Sequence, residues 1–171
     1  MNIYKRFYPK IIFSSVLDIT VEFLKDNNIK AILLDVDNTL IDYDGNILDG
    51  VKIWTEELKI NGIKLCILSN TSKKWKAEKM AKLLDVPYIH FAKKPLKKGF
   101  EKAKKIVKVE RYEEIAAVGD QVMTDVYGAN RCKIYSILVK PIKDKDILVT
   151  RFNRIMERKI LKEYYKYKNK E

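Results

Sequence analysis

Five short apolar runs, each followed by polar residues and separated by a stretch of helical periodicity, limit what this chain can fold into. They occupy 31–34, 63–68, 88–91, 115–118 and 135–139. Runs without a polar alternation have no solvent-facing side, so they predict strands buried on both faces, as in parallel sheets covered by helices. Helical patterns fall between them at 48–59, 73–84, 96–107 and 124–131. Trp75, Met80, Leu83 and Leu84 recur at helical spacing and read as a core stripe. Asn61-Gly62 supplies a helix stop and Pro95 a helix start. The expected fold is therefore α/β: a doubly wound, mostly parallel, five-stranded sheet with helices on both faces and a core over about 30–141. Two helical extensions flank it. One is amphipathic, over 14–25, with Val16, Leu17, Val21, Phe23 and Leu24 apolar. The other is basic and tyrosine-rich, over 146–168. With 171 residues and no repeat or flexible linker, a single domain over 1–171 is expected.

Only two cysteines are present, Cys66 and Cys132. They make neither a disulfide framework nor a zinc cluster, and read as buried thiols in a reducing compartment. The basic start is followed by an apolar run that Asp18 and Glu22 interrupt, so no secretory leader is expected. No run approaches the roughly 20 apolar residues that span a bilayer. The expected location is cytoplasmic, or peripheral on the inner face of the membrane. The net charge of +12 favours anionic partners: anionic lipid, phosphorylated small molecules or nucleic acid. Thirteen lysines stand against three acids between 73 and 108, although a solvated face is the ordinary role of such lysines.

The chemistry sits where the apolar runs end. The first run leads directly into Asp35-Val36-Asp37-Asn38-Thr39-Leu40. Aspartate is disfavoured in strands, and a buried carboxylate without compensation is costly. A divalent cation compensates directly. The fourth run leads into Gly119-Asp120, followed by Asp125. Adjacent strand ends would bring Asp35 and Asp120 into one oxygen-only site, a donor set that favours Mg²⁺ with retained waters. Ser69-Asn70 follows the second run and offers a hydroxyl and amides for phosphate. Lys93-Lys94-Pro95 follows the third and offers a cation. Taken singly, each piece has an ordinary explanation as a turn or a helix cap. Their order decides, because all four follow strands at the sheet edge where doubly wound folds bind ligands.

These residues resemble the four motifs of the haloacid dehalogenase superfamily, with 35–40 similar to motif I, Ser69 to motif II, Lys94 to motif III and 119–125 to motif IV. Within it, Asp-Val-Asp-Asn-Thr-Leu, Ser-Asn, Lys-Pro and Gly-Asp-Gln-x-x-Thr-Asp, running on to Gly128-Ala129-Asn130-Arg131, resemble subclass IIIA phosphatases of the YqeG type. These are related to mitochondrial phosphatidylglycerophosphate phosphatases. The resemblance implies covalent catalysis, with Asp35 as nucleophile and Asp37 as general acid and base. It implies Ser69 and Lys94 on the phosphoryl oxygens, Asn70 beside them, and Asp125 in support. Mg²⁺ would be held by the Asp35 and Asp120 carboxylates and the Asp37 backbone carbonyl. Lys93, Lys97 and Lys98 remain alternatives to Lys94. Asn38 stands where many superfamily members carry glycine.

Thirty-one residues separate Asp37 from Ser69 and 24 separate Ser69 from Lys94. Neither interval holds a separate cap domain. An uncapped site admits a phosphate carried on something large, and the resemblance points to a phospholipid head group, that of phosphatidylglycerophosphate. Lys5, Arg6, Phe7, Tyr8 and Lys10 would then either touch an anionic membrane or pack on the core. The competing readings are a polynucleotide-end or sugar-phosphate phosphatase, and a non-enzymatic phosphate- or lipid-binding scaffold. No nucleic-acid-binding module is recognisable.

Overall fold

The computed structural model describes residues 3–143 and 148–169. Six strands are present: β1 (Ile11–Phe13), β2 (Ala31–Leu34), β3 (Lys64–Leu68), β4 (Tyr88–Ile89), β5 (Ile115–Gly119) and β6 (Tyr135–Val139). They form one sheet in the order β1-β6-β5-β2-β3-β4, and every pairing is parallel. The central strand β2 is buried along its whole length. Its side chains alternate. Ile32 and Leu34 join a core with Leu24, Leu58 and Met80, from α1 (Val21–Asp26), α2 (Val51–Ile60) and α3 (Lys74–Leu84). Ala31 and Leu33 join a second core with Phe100, Ala103 and Ala129, from α4 (Lys97–Val107) and α5 (Tyr127–Arg131). The doubly wound α/β fold expected from the apolar runs is the one observed.

The sheet has six strands where five were expected. The additional strand, β1, pairs with β6 in the register Ile11 to Ile137 and Phe13 to Val139. Three residues behind a basic flank carry too little periodicity to read as a strand. The helix expected over 14–25 is also broken in two. Ser15 caps a 3₁₀ turn, Val16–Asp18, in a reciprocal capping box with Asp18. Thr20 then opens α1, its hydroxyl accepting from the Phe23 amide at 3.1 Å. Both hydroxyls terminate the backbone locally where the apolar spacing suggested continuity. The segment expected as one helix over 124–131 is a π-helical turn, Val122–Val126, running into α5.

The last helix, α6 (Leu148–Lys168), lies against the N-terminal segment. Tyr8 is buried, its ring 5.6 Å from Tyr164 and 5.8 Å from Tyr167, and Phe7 stacks 4.6 Å from Tyr127. In that segment Tyr8 is packed on the core and Phe7 is half-buried, whereas Lys5, Arg6 and Lys10 are exposed. No described helix is long and apolar enough to cross a membrane. Between Asp37 and β3 lie only a flap, closed by an Ile41–Ile47 bridge, and α2. Between Ser69 and Lys94 lie only α3 and β4. The sheet edge at the strand C-termini is therefore uncovered by any inserted domain.

Candidate active site

Asp35 follows β2 directly and is buried, its amide donating to the Val118 carbonyl of β5 at 2.9 Å. One carboxylate oxygen meets Lys94 Nζ at 2.7 Å. The same ammonium meets Asp125 Oδ1 at 2.6 Å. All three side chains are almost fully inaccessible, at 8%, 3% and 4%. Burial disfavours the lysine's charge, but the two carboxylates outweigh it and hold its pKa above the ordinary lysine value. Asp125 reaches this position from the π-helical turn, whose wider coil turns it inward beneath the end of β5. Its second oxygen accepts from the Gln121 amide at 3.1 Å. Gly119 makes this approach feasible, because a β-carbon there would overlap the Asp125 carboxylate.

Lys94 is aimed by its loop. Phe91 and Lys93 both adopt left-handed backbone angles, φ 49° and 57°, which cost about 1 kcal/mol or more each for such residues. The loop after β3 holds them there. The Phe91 amide donates to the Thr71 carbonyl and the Ala92 amide to the Ser69 carbonyl. Asn70 grips the Lys94 backbone at both ends: its Oδ1 accepts from the amide at 2.7 Å and its Nδ2 donates to the carbonyl at 2.9 Å. Lys93, Lys97 and Lys98 are exposed, so of the four candidate lysines only Lys94 reaches the carboxylates. Asn70 was expected beside the phosphate; its side chain is engaged in positioning Lys94. Ser69 is buried, and its hydroxyl accepts from the Thr71 amide at 3.2 Å.

Asn38 is a third left-handed position at the site, φ 62°. Asparagine tolerates that region, so the position does not require glycine. Its side chain adds what glycine cannot. Nδ2 donates to the Lys143 carbonyl and Oδ1 accepts from the Lys143 amide, each at 2.9 Å. Lys143 in turn pairs with Asp42 and Asp44 of the flap at 2.7 Å. The flap is thus tied to the chain leaving β6. Asp37, expected among the metal-holding and catalytic residues, turns its carboxylate to Lys76 of α3 at 2.7 Å.

Comparisons with known proteins give the family. The pattern of the mitochondrial PGP phosphatase family matches residues 1–143. A probable phosphatase, YqeG of Bacillus subtilis (strain 168), is 39% identical over 158 residues, which is 92% of this chain and 91% of the relative. The chain belongs to this family. It is thereby a phosphatase of the haloacid dehalogenase superfamily. The fold of this PGP phosphatase family member is shared with a possible sugar phosphatase from Cytophaga hutchinsonii, at TM-score 0.60 and 14% identity over 80% of this chain and 93% of the other. It is also shared with a cobalt-bound deoxy-D-mannose-octulosonate 8-phosphate phosphatase from Haemophilus influenzae, at TM-score 0.51 and 17% identity over 81% and 90% of the two chains.

The residues of this phosphatase fit a divalent cation. Carboxylate oxygens of Asp35, Asp120 and Asp125 lie within 4.8 Å of one another. Asp120 Oδ1 is buried with no hydrogen-bond partner, a costly arrangement that a cation relieves. Burial, then the charges of Asp35 and Asp125, push the Asp120 carboxyl up to about 8. Burial pushes Asp35 up to about 7 against the pull of Lys94. All donors are carboxylates, which suits a hard cation.

The sequence motifs did not reveal Lys76. It sits among Lys73, Lys74, Lys79 and Lys82 with no distinguishing signal, and its partner is 39 residues away. Lys76→Met is expected to lower turnover roughly tenfold by freeing the Asp37 carboxylate to move, with phosphate release at saturating substrate as the measurement. Unchanged kcat would show that Lys76 is an ordinary surface pair.

Proposed function

We propose that the chain is an Mg²⁺-dependent phosphomonoester hydrolase acting through an aspartyl phosphate on Asp35, with phosphatidylglycerophosphate as substrate. The observation that carries this reading is the buried Asp35–Lys94–Asp125 array beside the unpartnered Asp120 oxygen. In the first step an Asp35 oxygen attacks phosphorus and the bond to the leaving oxygen breaks. Lys94 and Ser69 bind the phosphoryl oxygens, and Asp37 protonates the leaving alkoxide. In the second step Asp37 takes a proton from water as that water attacks phosphorus, returning Asp35 as a carboxylate. The Asp35 and Asp120 carboxylates and the Asp37 backbone carbonyl would hold Mg²⁺, which when bound offsets charge on the phosphoryl oxygens.

Three features support a lipid-borne phosphate. The matching family is described as a PGP phosphatase. The sheet edge is uncapped. Trp75, Phe91 and Leu96 project from the loops and helix beside Ser69 and Lys94, 57%, 56% and 52% exposed, among exposed Lys73, Lys74, Lys93 and Lys97. Such a rim suits an anionic bilayer surface. The test is Mg²⁺-dependent phosphate release from phosphatidylglycerophosphate in mixed micelles. Turnover of an aryl phosphate without release from the lipid would remove the lipid assignment and keep the phosphatase.

The acid cluster also predicts a pH response. Between the unfolded carboxylate value of about 4 and folded values of about 7 and 8, the folded metal-free protein holds protons that the unfolded chain has lost. Its stability therefore falls as pH rises. In EDTA, melting temperature is expected to drop by roughly 5 °C or more from pH 5 to pH 8, and saturating Mg²⁺ should remove most of that slope. Asp120→Asn should flatten the slope in EDTA and abolish the Mg²⁺ response. A wild-type slope of the opposite sign would exclude carboxyls raised by burial.

A further inference from the structure

A cavity of about 310 Å³ opens directly onto Asp120, on the β6 side of the site. Lys140 at the end of β6, Tyr43 of the flap, and Arg158, Leu161 and Tyr165 of α6 line it. Its volume lies at the small end of ligand sites, enough for a short polar arm. Two observations bear on what it takes. Neither Lys140 nor Arg158 has an ion pair among the described residues, although both border the same cavity. Two cations bordering one concave wall are suited to an anion. The second observation concerns where the wall comes from. Arg158, Leu161 and Tyr165 all come from α6. The helix is held in place by its own contacts. Ile160 and Tyr164 are buried against Val122, Val126 and Leu138, and the Glu157 carboxylate accepts from the Val122 amide at 2.9 Å. Glu157 therefore fastens α6 to the π-helical turn that carries Asp125, and leaves Arg158, the next residue, at the cavity.

We propose that this cavity is the subsite for the leaving-group arm of the substrate, and that Lys140 and Arg158 bind a second anion on that arm, a phosphodiester one glycerol unit from the monoester phosphate. The subsite rests on the phosphomonoester reading above and deepens it. Helix α6 supplies one wall of this subsite. Substrates without the second anion lose that binding and turn over by the core chemistry alone.

The test compares glycerophosphoglycerol phosphate, which carries both anions and no acyl chain, with glycerol 3-phosphate, which lacks the diester. Wild-type kcat/KM should favour the first by about 10- to 100-fold, the range of one or two charge-assisted contacts. In the Lys140→Ala/Arg158→Ala protein that ratio should collapse to within about threefold of unity, mainly through KM. Both side chains are exposed, so the double variant is expected to fold, and Arg158→Glu provides a second perturbation of the same kind. A ratio unchanged by either variant overturns the subsite. Calorimetric titration of wild type with glycerophosphoglycerol, a diester with no phosphate to release, separates this proposal from the proposed reaction. Binding that the double variant loses supports the subsite whatever the turnover, and no binding to wild type overturns it even in an active phosphatase.

Discussion

Asp35→Asn is expected to lower phosphate release by about 10⁴-fold or more without unfolding the protein. The amide keeps the size of the side chain and an oxygen that still accepts from Lys94, so the geometry that places residue 35 at the end of β2 survives. An amide does not attack phosphorus at a useful rate, so no covalent phosphoryl adduct should appear by intact mass after acid quench, whereas wild type should show one. The effect on stability runs the other way. Carboxylate oxygens of Asp35, Asp120 and Asp125 lie within 4.8 Å of one another, and Lys94 bonds only the first and last. Removing one negative charge leaves Lys94 paired with Asp125 and lessens the repulsion that raises the Asp120 carboxyl. Melting in EDTA at pH 8 should therefore be no lower for the variant than for wild type. An inactive variant that melts far lower would assign Asp35 a structural role first. A variant within about 100-fold of wild type would exclude it as the nucleophile.

How much of this site could be read in the amino-acid sequence depends on the range of the interactions involved. Strands β2 and β6 lie where the apolar runs place them, because residues such as Ile32 and Ile137 are buried whichever face they take. The acids follow, since a strand-end carboxylate is conspicuous against an apolar run. Local hydrogen bonding was less legible. Ser15 and Thr20 cut one apparent helix into two short pieces, and the π-helical turn at Val122–Val126 has the same apolar spacing as an ordinary helix. Long-range pairings were not legible at all. Nothing adjacent to Lys76 marks it as the partner of Asp37. Nothing beside Asn38 in the sequence announces its two hydrogen bonds to Lys143, which join residues 105 apart. The same holds for α6, whose basic composition gave no sign that Arg158 and Lys140 border one cavity.

Lys94→Met should separate folding from reaction at this site. Lys94 is the only cation among the described residues that bonds Asp35 and Asp125, and both carboxylates are buried. Removing one partner of a buried ion pair leaves the other charges uncompensated, at a cost of about 3–5 kcal/mol. For a chain of this size that corresponds to a fall in melting temperature of roughly 10 °C. The loss should depend on pH with a definite sign. Lys94 lowers the Asp35 carboxyl, opposing the burial that raises it. Without the lysine the folded-state value rises further, so the folded protein holds its proton to higher pH and the penalty grows as pH rises. The deficit should be small near pH 5 and grow above about pH 7, where wild type loses the Asp35 proton and the variant keeps it. Saturating Mg²⁺ should recover part of it, because the cation returns positive charge to the same carboxylates. Activity should not recover with it, since a cation held by the carboxylates would not replace the ammonium proposed to bind the phosphoryl oxygens. Lys94→Arg sharpens the comparison: a planar fork restores the charge but not the single point held between two carboxylates 2.7 Å and 2.6 Å away. It should regain stability before activity. Melting at pH 8 in EDTA equal to wild type would show that Asp35 and Asp125 do not depend on Lys94. Activity restored by Mg²⁺ alone would move the lysine from the reaction to the scaffold.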